Sequence, residues 1–237
     1  MKLTKIMRPS LALPLILAFA ATGCDKDINE HLSGNTAVYQ QYEVYINGSE
    51  LPGAFANFRV GSAYGDRVQV EQGSIQCNAM EMFYVPSTGT TDPEFNYAVQ
   101  LERNHSFARF TFKRSKSETL VNEISYADVP ELKTPALDQI VPGQIYSFDM
   151  SAVPAEYDVE ISLSPSQTLI DGSVARAEVN RTANEFSFFG VKSGTYTLRV
   201  DVVKTARTEM NDSPAGGLMR VVRRSSRSEV DVPVGVL

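Results

Sequence analysis

Tryptophan is absent from the 237 residues, and histidine and cysteine each occur only twice. These shortages exclude most familiar site chemistries. With Cys24 and Cys77 as the only thiols, no disulfide framework is available to staple a small fold. Neither paired cysteines nor a histidine-rich tract offers zinc a ligand set, and no Asp-x-Asp-x-Asp-Gly run forms a calcium loop. His31 lies in a polar stretch, and nothing around His105 resembles a nucleophile elbow or supplies an acid partner for serine catalysis. Asp128 and Glu131 are two carboxylates in a loop, a spacing that does not show the convergence glycoside hydrolysis requires. The expectation is a protein without catalytic residues, metal or cofactor, and not an enzyme.

Basic residues are in the minority as well, 22 against 28 acidic, for a net charge of −6. Residues 1–23 hold three of the bases (Lys2, Lys5, Arg8) and no acid, so without them the charge becomes −9. Phosphate binding needs a basic footprint, so nucleic acid is not an expected partner. Long apolar runs are scarce too. The stretch Leu11–Ala21, behind that basic start, is too short to span a bilayer stably and ends in small residues before Cys24. That is the pattern of a bacterial lipoprotein signal. It predicts a signal peptide over 1–23, lipidation of Cys24, and a chain anchored in the outer membrane and exposed at the cell surface. Residues 24–37 (CDKDINEHLSGNTA) are polar and without apolar period, as expected of a flexible tether.

No segment beyond the tether keeps a 3.6-residue period of helical length. Instead, short apolar alternations recur between turn signals: Tyr39–Ile46 before Asn47-Gly48, Ala56–Val60, Arg67–Glu71, Met80–Val85, Tyr97–Leu101 and Phe107–Phe112. In Val68-Gln69-Val70 and Phe110-Thr111-Phe112, every second residue is apolar, which buries one face of a strand and wets the other. Cys77 sits in one such stretch and reads as a small buried hydrophobe. Prolines and a glycine between Pro130 and Gly143 interrupt the pattern before it resumes at Ile145–Met150, Tyr157–Leu163, Ser173–Val179, Glu185–Phe189, Thr195–Val203, Met219–Val222 and Ser228–Val236. The predicted fold class is all-β, two tandem β-sandwiches over 38–138 and 139–237. One continuous sandwich is the alternative.

Two stretches carry a family resemblance. Phe186-Ser187-Phe188-Phe189-Gly190, with Gly194-Thr195-Tyr196-Thr197-Leu198-Arg199-Val200, resembles the strand-turn-strand of transthyretin-like and carboxypeptidase-regulatory-like sandwiches. The stretch from Ala98 to Phe112, followed by Val121–Pro130, is similar to the end of an N-terminal fimbrillin-type domain, with Leu101, Arg103, Ala108, Phe110 and Phe112 matching its pattern. Fimbrillin-type proteins are fimbrial subunits and their lipid-anchored minor or anchoring subunits. The resemblance implies two transthyretin-like (Ig-like) sandwiches that assemble or anchor a surface filament by strand exchange, with other envelope or fimbrial proteins as partners. Val230, Val232, Val234 and Val236 share one face of the last segment, which reads either as a donor strand or as the chain's own edge strand. Arg220, Arg223, Arg224 and Arg227 concentrate positive charge in an acidic protein, either as a partner-facing basic rim or as a solvated edge strand. A surface glycan-binding lipoprotein and a generic envelope spacer or assembly factor are the alternative functions. The lack of tryptophan, the broadest sugar-stacking surface, speaks against the glycan reading.

Overall fold

Residues 37–48, 50–70, 74–85, 95–115, 118–166, 174–207 and 215–233 are described by a computed structural model. The leader, Cys24, the tether, Val234 and Val236 lie outside them. All regular structure among the described residues is β. In chain order the strands are β1 (Val38–Asn47), β2 (Gly53–Val60), β3 (Ile75–Cys77), β4 (Met80–Glu81), β5 (Phe83–Tyr84), β6 (Tyr97–Gln100), β7 (Phe107–Lys113) and β8 (Thr119–Ser125). They continue with β9 (Ile145–Ser147), β10 (Asp158–Pro165), β11 (Ala175–Arg176), β12 (Glu178–Asn180), β13 (Glu185–Ser187), β14 (Gly194–Arg207), β15 (Gly217–Arg224) and β16 (Ser228–Val232).

The period-2 patterns behave as strand sterics require. Ala108, Phe110 and Phe112 of β7 are buried while Phe107 and Arg109 point out, and Val159, Ile161 and Leu163 are the buried row of β10. Nine strands form one long sheet in the order β11-β10-β14-β15-β1-β2-β6-β5, with β16 also paired to β14. Every pairing in it is antiparallel except β1 with β15, which is parallel. That parallel pair sets Val44 beside Val221, both fully buried, and it carries the sheet without a break across the 138/139 boundary expected from the sequence.

Two smaller sheets, β4-β3-β7-β8 and β12-β13-β9, complete a sandwich-like arrangement. Aromatic contacts tie the layers. Tyr42 of β1 stacks on Phe110 of β7 at 4.4 Å between ring centroids, and Phe58 of β2 meets Phe112 at 4.6 Å. In the other small sheet Tyr146 stacks on Phe186 at 5.5 Å, and β12 lies against β10. Buried residues of all three sheets, Cys77 among them, join one apolar cluster. Each fully buried phenylalanine there contributes about 1.5–3 kcal/mol relative to an exposed one.

Several sequence-based expectations differ from the structure. Met80–Val85, expected as one strand, divides into β4 and β5 in two different sheets. Of the expected strand Arg67–Glu71, the described residues 67–70 form no strand, and Glu71 lies outside the described residues. Only Arg67 bridges to Arg59, because the backbone of Val70 is satisfied by a side chain: its N–H donates to the Tyr97 hydroxyl at 2.7 Å, and that hydroxyl lies 3.1 Å from its carbonyl oxygen. The Phe186–Val200 phrase is not a hairpin either. β13 pairs with β9 and β12, whereas β14 pairs with β10, β15 and β16, so the turn through Gly190 (φ 65°) crosses between layers; Phe186 and Phe188 are buried and Phe189 is exposed.

Candidate functional site

The long sheet buries one face and leaves the other polar. On the polar face, alternate residues of four adjacent strands line a groove of about 460 Å³: Glu160 and Ser162 of β10, Arg199 and Asp201 of β14, Arg220 and Arg224 of β15, and Glu43 and Tyr45 of β1. Arg176 of β11 closes one end. β14, β15 and β1 have neighbours along both sides, and β11 with Ala177 covers the outer side of β10 from Ile161 to Leu163.

Arg220 links the two carboxylates nearest it. Its Nη2 donates to Glu160 Oε1 at 2.8 Å, and its Nη1 lies 3.6 Å from Oε2 of Glu43, which is only 1% exposed. Arg176 approaches the second oxygen of Glu160 at 3.6 Å. Arg224 lies flat over Tyr45, 3.8 Å from the ring centroid, a cation–π contact that leaves its Nε buried without a hydrogen bond.

Charge is less balanced at the centre. Asp201 stands directly opposite Glu160 on one side and Arg224 on the other, yet its Oδ1 is buried and makes no hydrogen bond. Burial, reinforced by Glu160, pushes its carboxyl up to about 6 against the counter-pull of Arg224 and Arg199. Arg199 is lowered from the usual guanidinium range, first by burial and then by Arg224 and Arg227. The guanidinium groups of Arg199, Arg224 and Arg227 make no ion pair or hydrogen bond among the described residues.

A one-residue bulge creates this crowding. Asp201 pairs with Arg224 while Leu198 pairs with Ser228, so Ser225, Ser226 and Arg227 face only Arg199 and Val200. Ser225, buried, holds the bulge: its N–H donates to the Val200 carbonyl at 2.9 Å, and its Oγ accepts from the Val200 N–H at 3.0 Å. Thr134 Oγ1 lies 2.5 Å from the same Oγ. The extra residue brings Arg227, in the stretch between β15 and β16, within electrostatic reach of Arg199.

The expected basic rim is therefore divided. Arg220 and Arg224 line the groove and Arg227 neighbours Arg199, but Arg223 points the other way, into a hollow of about 300 Å³ shared with Arg103, His105 and Tyr126. Val230 and Val232 are buried in β16, which pairs with β14 along one edge. Its other edge meets the segment before β9: Ile140 N–H donates to the Asp231 carbonyl at 2.8 Å, and Asp231 N–H donates to that of Asp138 at 3.1 Å. Nearby, Lys204 lies 2.6 Å from Asp128 and holds its carboxyl down at about 2. Cys77 is deep in the core, where burial pushes its thiol up to about 12, an inert setting.

Glu43, Tyr45, Glu160, Arg176, Arg199 and Asp201 were not expected as site residues. Their wet-face alternation is visible in the sequence, but what unites them is sheet order. The groove offers mixed charge around a surplus of guanidinium groups, which suits binding an anionic group. Compared with protein-family models, curated proteins and solved structures, the chain matches none.

Proposed function

We propose that this is a lipid-anchored, non-catalytic cell-envelope protein, a fimbrillin-like minor or anchoring subunit that holds other envelope or fimbrial proteins by β-strand addition. One observation carries the reading. β8 ends its four-stranded sheet, no strand among the described residues pairs with its outer edge, and Val121 on it is 41% exposed. An unpaired edge of seven residues offers a row of N–H and C=O groups to an incoming strand. Because the chain itself covers both edges of β16, the exchange would be received at β8 from the partner rather than donated from Ser228–Val232. Lipidation at Cys24 would fix the base of such an assembly to the outer membrane.

Mild crosslinking of intact cells, followed by purification of the chain, tests the reading. An envelope or filament protein should be captured, and Val121→Lys should abolish capture, since a charge on an edge strand opposes pairing. Cys24→Ser should release the protein from membranes. Capture unaffected by Val121→Lys, or membrane retention without Cys24, would overturn it.

A further inference from the structure

The arginine-rich groove lies on the sheet, away from the β8 edge, and is independent of strand addition. We infer that it is a binding site for a carboxylate-bearing saccharide, with Arg199 and Arg224 of its lining, and Arg227 beside Arg199, gripping the carboxylate and Glu160, Ser162 and Arg176 meeting its hydroxyls. Three observations converge on this assignment.

The first is like charge only partly offset by Asp201. Like charges crowded on one face destabilise a sheet, and the Ser225 bulge brings Arg227 close to Arg199, which Arg224 also repels, with no ion pair for any of the three. A bulge that re-aims a side chain beside a concavity is the usual company of a binding site. The second observation is unsatisfied polarity in the same place: Arg224 Nε and Asp201 Oδ1 are both buried without hydrogen bonds, and such groups ordinarily have partners. A carboxylate matches the planar guanidinium fork and would relieve the repulsion between the arginines.

The third observation selects the ligand. Three of the four floor strands are paired along both sides, and β11 with Ala177 covers the outer side of β10 from Ile161 to Leu163, so a peptide finds little free backbone edge to join here. Glu43, Glu160 and Asp201 interrupt the arginines, so the groove offers no continuous basic track for a nucleic-acid backbone. What remains is a mixed lining of hydroxyl, carboxylate and guanidinium groups in about 460 Å³, a volume within the range of small-ligand sites. Donors and acceptors mixed in this way suit the hydroxyls of a sugar that also carries an acid.

Calorimetry on the full-length chain in nonionic detergent, at 0.15 M salt, tests the assignment with trigalacturonate as probe. Trigalacturonate should bind, and Arg199→Gln and Arg227→Gln should each weaken it roughly tenfold or more, as loss of a charge-assisted hydrogen bond does. Arg223→Gln, on the opposite face, should leave affinity unchanged. The methyl ester should bind at least about tenfold more weakly. Neither removed guanidinium makes an ion pair or hydrogen bond among the described residues, so circular dichroism should show both groove variants folded, which separates loss of binding from loss of fold. Absence of heat with trigalacturonate, equal binding of the ester, or unchanged affinity in both groove variants would overturn the site. Triglutamate or inorganic sulfate binding as tightly as trigalacturonate would overturn the saccharide assignment, as a site for an acidic peptide or for an oxyanion alone.

Discussion

Replacing Asp201 with asparagine removes a carboxyl whose titration is moved by its place in the sheet from an ordinary 3.8 to about 6. Burial is the main cause, and Glu160 across the strand pair adds to it. The sign follows from linkage. Between those two values the folded state holds a proton that the unfolded state has released, so this group stabilises the fold as pH falls through 6 and withdraws that support as pH rises. A shift of about two pH units corresponds to about 3 kcal/mol, of which about 2.5 is present by pH 4. Asp128 acts in the opposite sense and in a different window: Lys204 holds it at about 2, so its contribution is lost only below 3.8. Its side chain is half exposed, so screening leaves it under about 1 kcal/mol. Both proteins share that term, and subtraction cancels it. Urea unfolding followed by far-ultraviolet circular dichroism, which needs no tryptophan, should be run on wild type and Asp201→Asn at pH 7.5 and pH 4.0. Relative to the variant, the wild type should gain about 2.5 kcal/mol on going to pH 4.0. A difference constant to within about 0.5 kcal/mol would refute the burial of an unsatisfied carboxylate in the groove.

Phe110, fully buried and stacked on Tyr42, joins β7 to the long sheet; Phe110→Ala should cost about 3–5 kcal/mol in the same unfolding assay, and a loss under 1 would contradict the packing. Ser225→Ala leaves the buried Val200 N–H without its acceptor, for an expected loss of about 1–3 kcal/mol. It should also weaken trigalacturonate binding, because the bulge that presents Arg227 is loosened. Ending the chain before Ser228 removes Val230 and Val232 from the apolar cluster and uncovers both β14 and the 138–140 segment. That truncation should fail to give cooperative unfolding, whereas a folded monomer that had lost only its assembly would identify the segment as a donor strand.

Much of the fold is written locally. Val159, Ile161 and Leu163, or Ala108, Phe110 and Phe112, show their buried face by period alone, and Asn47-Gly48 marks the turn between β1 and β2, with Gly48 at a φ of 49°. Pairing is not local. The parallel join of Val44 to Val221 depends on two segments at opposite ends of the chain, and no residue near either one announces it. The same limit explains Phe186–Val200, where both strands are plain but each has partners in a different sheet. At Val70 a tyrosine hydroxyl took over the role of a neighbouring strand, which alternation cannot reveal. The groove was half legible: Arg220, Arg224 and Arg227 stood out as a charge cluster, but Arg223 belongs to the other face, and Arg199, Glu160 and Tyr45 join only through sheet order. The bulge that brings Arg227 round is a mismatch of one residue between two registers, visible only once both are known.

Strand addition at β8 is tested most directly by a photo-crosslinking amino acid placed at position 121 in living cells, with the 96%-exposed position 64 as the comparison. A discrete adduct with an envelope protein from position 121, absent from position 64 and lost when Cys24 is replaced by serine, is the result expected of a membrane-anchored strand acceptor. The same adducts from both positions, or none from position 121, would contradict it.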